Sequence, residues 1–188
     1  MADILKKHDF KEIFRIGGIL CLICSAVALI LSFVNMVTAE RIAENEERVK
    51  REAIVALFGS NSIEYTALEK VSDTVDEIFT VTDDGEDLGY CVRLTPSGFG
   101  GGIGMMVAVD NGGNVIGARI VSHSETPGLG SRIEGEDFLS QFVGESSTRT
   151  DYDVLSGSTI SSKAVIAGVN DSLEALSSIL GIGGGAAN

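Results

Sequence analysis

The 188-residue chain has no Trp, two Pro, two His and three Cys, and it carries few positive charges. The two His, His8 and His123, lie far apart and without a zinc-type spacing, so the sequence predicts no metal site. Cys91 is the only Cys outside an apolar N-terminal run, which excludes an internal disulfide in the rest of the chain. Cys21 and Cys24 form a C-x-x-C inside that run, where thiols normally pack as small apolar groups.

The scarcity of cations is confined to one part of the chain. Residues 40–188 hold ten Lys/Arg against twenty-four Asp/Glu, whereas residues 1–39 hold four against three. Such an acidic body repels nucleic acid and anionic lipid, so we expect no nucleic-acid partner. The acidic turn 83–87 lacks the spacing of a calcium loop. The glycine-rich loop 95–104 leads into a predicted strand, which excludes a dinucleotide fingerprint.

A long uncharged run lies near the N-terminus. Residues 16–37 are 22 residues without a charge, enough to cross a bilayer as a helix. A cleaved signal peptide is the alternative, although the run is longer than the usual apolar core of one. Cations are equal in number on the two sides, but Lys11 and Arg15 lie closest to the run and favour a cytoplasmic N-terminus. We predict a cytoplasmic segment 1–15, a transmembrane helix 16–37 and a membrane-proximal helix 38–60.

The pattern then changes to that of an α+β domain over residues 61–180. Strand-like runs cover 78–81, 89–94, 105–109 and 115–121, and Asn and Gly at 110–114 predict a tight hairpin. A short helix is predicted at 138–143, an extended segment at 148–155 and a long helix from Thr159. We therefore expect an antiparallel sheet flanked by helices, followed by a flexible tail 181–188.

Small and hydroxylated residues crowd the stretch 156–162, directly before the long helix. Apolar residues spaced by three and four from Ile160 onward place Thr159 at the helix start. The free N–H groups of a helix start bind anions. Ordinary capping by Ser or Thr is the alternative interpretation.

Two motifs resemble those of a known family. Asp153-x-x-Ser156-Gly157-small-Thr159 resembles the site at which flavinyltransferases move FMN from FAD to the last Thr in FMN-binding domains; this chain has Ser158 where the family usually has Ala. The stretch 125–130, Glu-Thr-Pro-Gly-Leu-Gly, resembles a second loop of that family. With the single N-terminal membrane segment, the chain is similar to the G subunit of Rnf complexes, membrane-bound ferredoxin:NAD oxidoreductases that couple electron flow to Na⁺ or H⁺ transport.

The resemblance implies an electron-transfer subunit with little catalytic activity alone, carrying FMN through a phosphoester to Thr159. It places the flavin domain outside the cytoplasm, with other membrane subunits as partners and a flavinyltransferase for maturation. The loop 95–104 would form a wall of the flavin site. Lys163 is a candidate charged contact for the phosphate. The remaining implied site residues are Glu125, Thr126, Gly128, Leu129, Ser156, Gly157, Ser158, Ser161 and Ser162.

Other functions stay open at this point. Within the flavin interpretation, the alternatives are the C subunit of a Na⁺-translocating NADH:quinone reductase, which is typically longer, and a stand-alone membrane-anchored FMN-binding protein. A structural anchor without flavin is a third. A membrane-anchored serine hydrolase would use Ser156 or Ser158 as nucleophile and His123 as base, but the sequence has no G-x-S-x-G.

Overall fold

The computed structural model describes residues 2–60, 62–68 and 74–181. Contacts divide the chain into two units, Met1–Arg48 and Val49–Asn188. The predicted tail, apart from Gly181, lies outside the described residues.

The N-terminal helix α1 runs without interruption over Ala2–Phe58. Gly59, with a φ of 75°, ends it, close to the boundary predicted at residue 60. Among the described residues, this is the helix long and apolar enough to cross a membrane: its most apolar stretch has a mean hydropathy of 2.6 and none of it is buried. The predicted boundaries at 15/16 and 37/38 fall inside one continuous helix and stay predictions.

The second unit is built on a five-stranded antiparallel sheet in which each strand pairs with its neighbours in the chain. The strands are β1 Ile63–Leu68, β2 Glu77–Asp83, β3 Glu86–Leu94, β4 Gly104–Asp110 and β5 Val115–Ser122. The predicted α+β class with an antiparallel sheet is confirmed. Strand β1 was not predicted.

Short helices and one long helix follow the sheet. A 3₁₀ helix covers Gly130–Glu134, α2 covers Glu136–Leu139, and a second 3₁₀ turn covers Ser140–Phe142. The long helix α3 spans Thr159–Leu180 and starts at the predicted residue. The stretch 148–155, predicted to be extended, forms no helix and pairs with no strand among the described residues.

The sheet is buried on both faces within the second unit. Met105, Val107 and Val109 of β4 pack on the side of α3, while Met106 packs on the other side with Ile54 from the end of α1. Fully burying side chains of this size stabilises the fold by about 1.5–3 kcal/mol each. Because α3 is fixed on the sheet by this core, its first turn has a defined position at the sheet end, beside the loop that follows β5.

Candidate functional site

The start of α3 is open rather than capped. Its first backbone hydrogen bond runs from the N–H of Ser162 to the carbonyl of Ser158 over 2.8 Å. The Ser158 hydroxyl makes no capping hydrogen bond and instead donates to the carbonyl of Leu129. Within the described residues, the N–H groups of Thr159 and the two residues after it therefore have no acceptor, so the positive end of the helix faces outward.

The turn before the helix is held against the loop that follows β5. Gly157 has a φ of 82°, a left-handed conformation that side chains disfavour. Arg132 donates from Nη1 to the Ser156 carbonyl over 3.2 Å. Any Cβ at Gly157 would lie 2.9 Å from Cδ2 of Leu129. The turn thus contacts two residues that are more than twenty positions away in the sequence.

The loop after β5 is fixed by its own hydrogen bonds. The Thr126 carbonyl accepts the N–H groups of Leu129 and Ser131, each over 3.2 Å. The Gly128 N–H donates to the Ser131 hydroxyl over 2.9 Å. These bonds fold the Glu-Thr-Pro-Gly-Leu-Gly stretch into a compact turn that leads into the 3₁₀ helix.

Glu125 is a buried carboxylate with a relative exposure of 5%. Its Oε2 accepts the Ser161 hydroxyl over 2.7 Å and its Oε1 accepts the Gly100 N–H over 2.9 Å. Burial by itself raises the pKa of Glu125, but the hydrogen bonds from Ser161 and from the backbone of Gly100 and Phe99, with the neighbouring His123, outweigh it. The net pKa lies below the ordinary value, so the group is ionised at neutral pH.

These segments enclose a cleft of about 330 Å³, called here the Thr159 cleft. It is lined by Phe99, by Glu125, Thr126, Leu129 and Gly130, and by residues 157–161. Thr159 is exposed, and among the described residues its hydroxyl makes no hydrogen bond. Three apolar side chains around it are also exposed: Phe99 at 71%, Ile160 at 55% and Leu129 at 49%. An exposed hydroxyl, an open helix start and an apolar rim therefore share one cleft.

Seven of the eleven predicted site residues line the Thr159 cleft: Glu125, Thr126, Leu129, Gly157, Ser158, Thr159 and Ser161. The other four do not. Gly128 and Ser156 are exposed beside it, and the Ser162 hydroxyl is buried and accepts the Leu155 N–H over 3.2 Å. Lys163 is exposed one helical turn after Thr159, on the same face of α3.

Four contributors were not among the predicted site residues: Phe99, Gly130, Ile160 and Arg132. Phe99 comes from the loop 95–104, which was expected to form a wall of the site and does contribute to the cleft. Ile160 begins the apolar run that predicted the helix, and it is exposed on the cleft rim. Arg132 holds the turn before α3 through its hydrogen bond to Ser156, and no pattern in the sequence indicates this contact.

The arrangement of a serine hydrolase is absent from the described residues. His123 contacts Glu134 through Nε2, and its Nδ1 accepts the Glu125 N–H over 3.1 Å. Neither nitrogen therefore bonds to a candidate nucleophile. The Ser158 hydroxyl, the better enclosed of the two candidates, already donates to a carbonyl.

A larger groove of about 590 Å³ lies beside β5, between Leu57 and α2, and contains none of the predicted site residues. Volume alone does not identify a site. The Thr159 cleft remains the candidate because it gathers both sequence motifs.

Comparison with known proteins identifies the family. A family model described as FMN-binding domain matches residues 98–174, and one described as RnfG N-terminal region matches residues 1–57. The G subunit of an ion-translocating oxidoreductase complex from Cereibacter sphaeroides is 30% identical over 187 residues, covering 88% of this chain and 85% of its own. The chain belongs to this G-subunit family. The resemblance inferred from the two motifs is confirmed.

Two other proteins are similar to this G-subunit chain, one in sequence and one in fold. The G subunit of the Na⁺-translocating ferredoxin:NAD⁺ oxidoreductase complex of Acetobacterium woodii is 28% identical over 192 residues, covering 88% of this chain and 92% of its own. The crystal structure of the C subunit of a Na⁺-translocating NADH-quinone reductase from Parabacteroides distasonis has the same fold. Its TM-score is 0.56 at 23% identity, covering 71% of this chain and 92% of that one.

The residues of the cleft fit FMN. The acceptor-free N–H groups at the start of α3 suit a phosphate, and they lie next to an exposed hydroxyl. The exposed side chains of Phe99, Leu129 and Ile160 offer apolar surface for a flat aromatic ring. The cleft thus offers N–H groups for the phosphate end of FMN and apolar surface for its ring end.

Proposed function

We propose that this chain is the flavin-carrying electron-transfer subunit of a membrane-bound, ion-translocating ferredoxin:NAD oxidoreductase complex, with FMN attached to Thr159. The observation that carries the proposal is the exposed Thr159 hydroxyl at the open start of α3, inside a cleft with an apolar rim. The family match and the FMN-binding domain support the same function. FMN, when bound, supplies the redox chemistry, and the protein supplies position and electrostatics.

The attachment itself is a transfer from FAD. The Thr159 oxygen forms a bond to the phosphorus of the FMN half, the pyrophosphate P–O bond breaks, and AMP leaves with the proton of the hydroxyl. A flavinyltransferase supplies the FAD and the catalytic groups. In this chain, the N–H groups at the start of α3 then hold the phosphate, and Lys163, one turn along, adds positive charge on the same helix face.

Three features support the proposed membrane arrangement: the apolar helix, the two cations that lie closest to it, Lys11 and Arg15, and the family resemblance. Residues 16–37 cross the bilayer, with residues 1–15 in the cytoplasm and the flavin domain on the other side. Electrons enter and leave through neighbouring membrane subunits, which makes the chain a relay rather than an independent enzyme. A covalent bond suits this location, because a lost flavin would not be replaced there.

A denaturing gel tests the proposal. The full-length chain, produced together with a flavinyltransferase, should show a fluorescent band under ultraviolet light after denaturation. Thr159→Ala should be dark, whereas Thr126→Ala, which removes another exposed hydroxyl of the same cleft, should stay fluorescent. Equal fluorescence of the wild type and Thr159→Ala would contradict the proposed attachment.

A further inference from the structure

The Glu-Thr-Pro-Gly-Leu-Gly stretch begins with Glu125, and both oxygens of its carboxylate accept hydrogen bonds from other segments of the protein. Oε1 accepts the N–H of Gly100 from the β3–β4 loop, and Oε2 accepts the hydroxyl of Ser161 from the first turn of α3. The backbone N–H of Glu125 itself donates to His123. Glu125 thus connects three segments that line the Thr159 cleft, and each of its carboxylate oxygens accepts a hydrogen bond from another part of the protein.

Two glycines, Gly98 and Gly130, lie directly against this carboxylate. A Cβ added at Gly98 would lie 2.2 Å from Oε1, and one added at Gly130 would lie 2.6 Å from Oε2 and 2.7 Å from the Glu125 Cβ. All three distances are shorter than real Cβ contacts. The backbone at both glycines therefore approaches the carboxylate as closely as the chain allows, one from each side.

The charge of Glu125 is also fixed in place. The side chain is 5% exposed and is a member of the cleft lining, so solvent screens its charge poorly toward the cleft. Two cations of this region, Arg132 and Lys163, are exposed to solvent and more strongly screened, and the third cationic group, the neighbouring His123, contacts the carboxylate of Glu134. A negative charge on the wall of the cleft disfavours any reaction that adds negative charge inside it.

We propose that Glu125 is a positioning residue that holds the β3–β4 loop and the start of α3 together, and that its charge lowers the reduction potential of the flavin in the Thr159 cleft. This inference rests on the proposed flavin function. The direction follows because reduction adds electrons to a ring system held in a cleft whose wall carries a fixed carboxylate. Glu125 acts here through its position and its charge.

The electrostatic part is tested by redox titration of the full-length flavinylated protein in detergent, followed by visible absorbance. Glu125→Gln keeps the shape and removes the charge, so the midpoint potential should rise. Glu125→Asp keeps the charge, so its potential should stay nearer that of the wild type. Glu136→Gln, which removes an exposed carboxylate outside the cleft, should leave the potential unchanged.

Two results would overturn the electrostatic part. One is a Glu125→Gln potential equal to or below that of the wild type. The other is a shift in Glu125→Asp as large as that in Glu125→Gln, because geometry rather than charge would then be responsible. A wild type without flavin on the denaturing gel would instead count against the proposed function itself.

The positioning part is tested without flavin, in a Thr159→Ala background, by amide hydrogen exchange at Gly100. Removing the acceptor with Glu125→Ala should speed exchange of this N–H by about tenfold or more, because hydrogen bonds to charged groups are among the stronger ones. Glu125→Gln retains a carbonyl acceptor and should stay protected. Unchanged exchange in Glu125→Ala would refute the connection between the two segments.

Discussion

The left-handed turn before α3 gives a quantitative prediction. Gly157 has a φ of 82°, and a side chain in this conformation costs about 1–2 kcal/mol. Gly157→Ala should lower the melting temperature by about 2–8 °C, since each kcal/mol corresponds to about 2–4 °C in a domain of this size. The new methyl group would also lie 2.9 Å from the end of Leu129, which is 49% exposed and turns away at little cost.

A matched control separates strain from contact. Gly128 has a φ of 75°, and a Cβ added there would have no atom within 4 Å, so Gly128→Ala should show the strain alone. Because Asn tolerates this conformation, Gly157→Asn should recover part of the loss. Displacement of Leu129 should, in addition, reduce flavin attachment in Gly157→Ala but not in Gly128→Ala.

Tyrosine fluorescence is a suitable assay on the flavin-free, full-length protein in detergent. The chain has no Trp, and Tyr65, Tyr90 and Tyr152 all belong to the second unit, so the apolar part of α1 does not contribute. A Gly157→Ala protein as stable as the wild type would refute the reasoning, because the turn could not then be left-handed.

Further predictions concern single groups. Ser158→Ala should lose about 0.5–1.5 kcal/mol in urea unfolding because it removes a hydrogen bond, while Ser156→Ala, at an exposed position, should stay within about 0.5 kcal/mol of the wild type. Burial raises the pKa of Cys91 to about 12, so iodoacetamide at pH 8 should alkylate it only in urea, in a variant whose other two Cys are Ala; rapid labelling of the folded protein would contradict this. Because the pKa of Glu125 is lowered on folding, its carboxylate stabilises the fold above its ordinary pKa of about 4.3, and this contribution is lost as pH falls through the lowered value. Glu125→Gln should lack that acid-dependent loss, measured by urea unfolding between pH 7 and pH 3.

The sequence predicts the elements that depend on local pattern. Asp110 to Asn114 predicts the β4–β5 hairpin because Asn and Gly favour tight turns, and the structure places the Asp110 carboxylate on the N–H groups of Gly112 and Asn114, each over 2.8 Å. Thr159 begins α3 as the apolar spacing predicts. Strand β1 was missed because it is a short edge strand whose burial alternates only weakly.

Contacts between residues that are far apart in the chain could not be predicted from the sequence. Ser is a common helix-capping residue, but the Ser158 hydroxyl donates its hydrogen bond to the carbonyl of Leu129 instead. Ile160 belongs to the apolar run of the helix, yet it lies on the exposed face of α3 with Lys163 and Ala167. Periodicity indicates that a helix has an apolar face, but the packing of the folded chain decides which of its apolar residues are buried.

Peptide mapping is the most direct test of the central claim. Trypsin cleaves after Arg149 and Lys163, which releases the peptide 150–163 with Thr159 and four Ser. In protein produced with an active flavinyltransferase, this peptide should gain the mass of FMN less one water, and fragmentation should place the addition on Thr159. An addition on any other residue would contradict the proposed attachment to Thr159. So would an unmodified peptide from cells in which a separate substrate of the transferase is flavinylated.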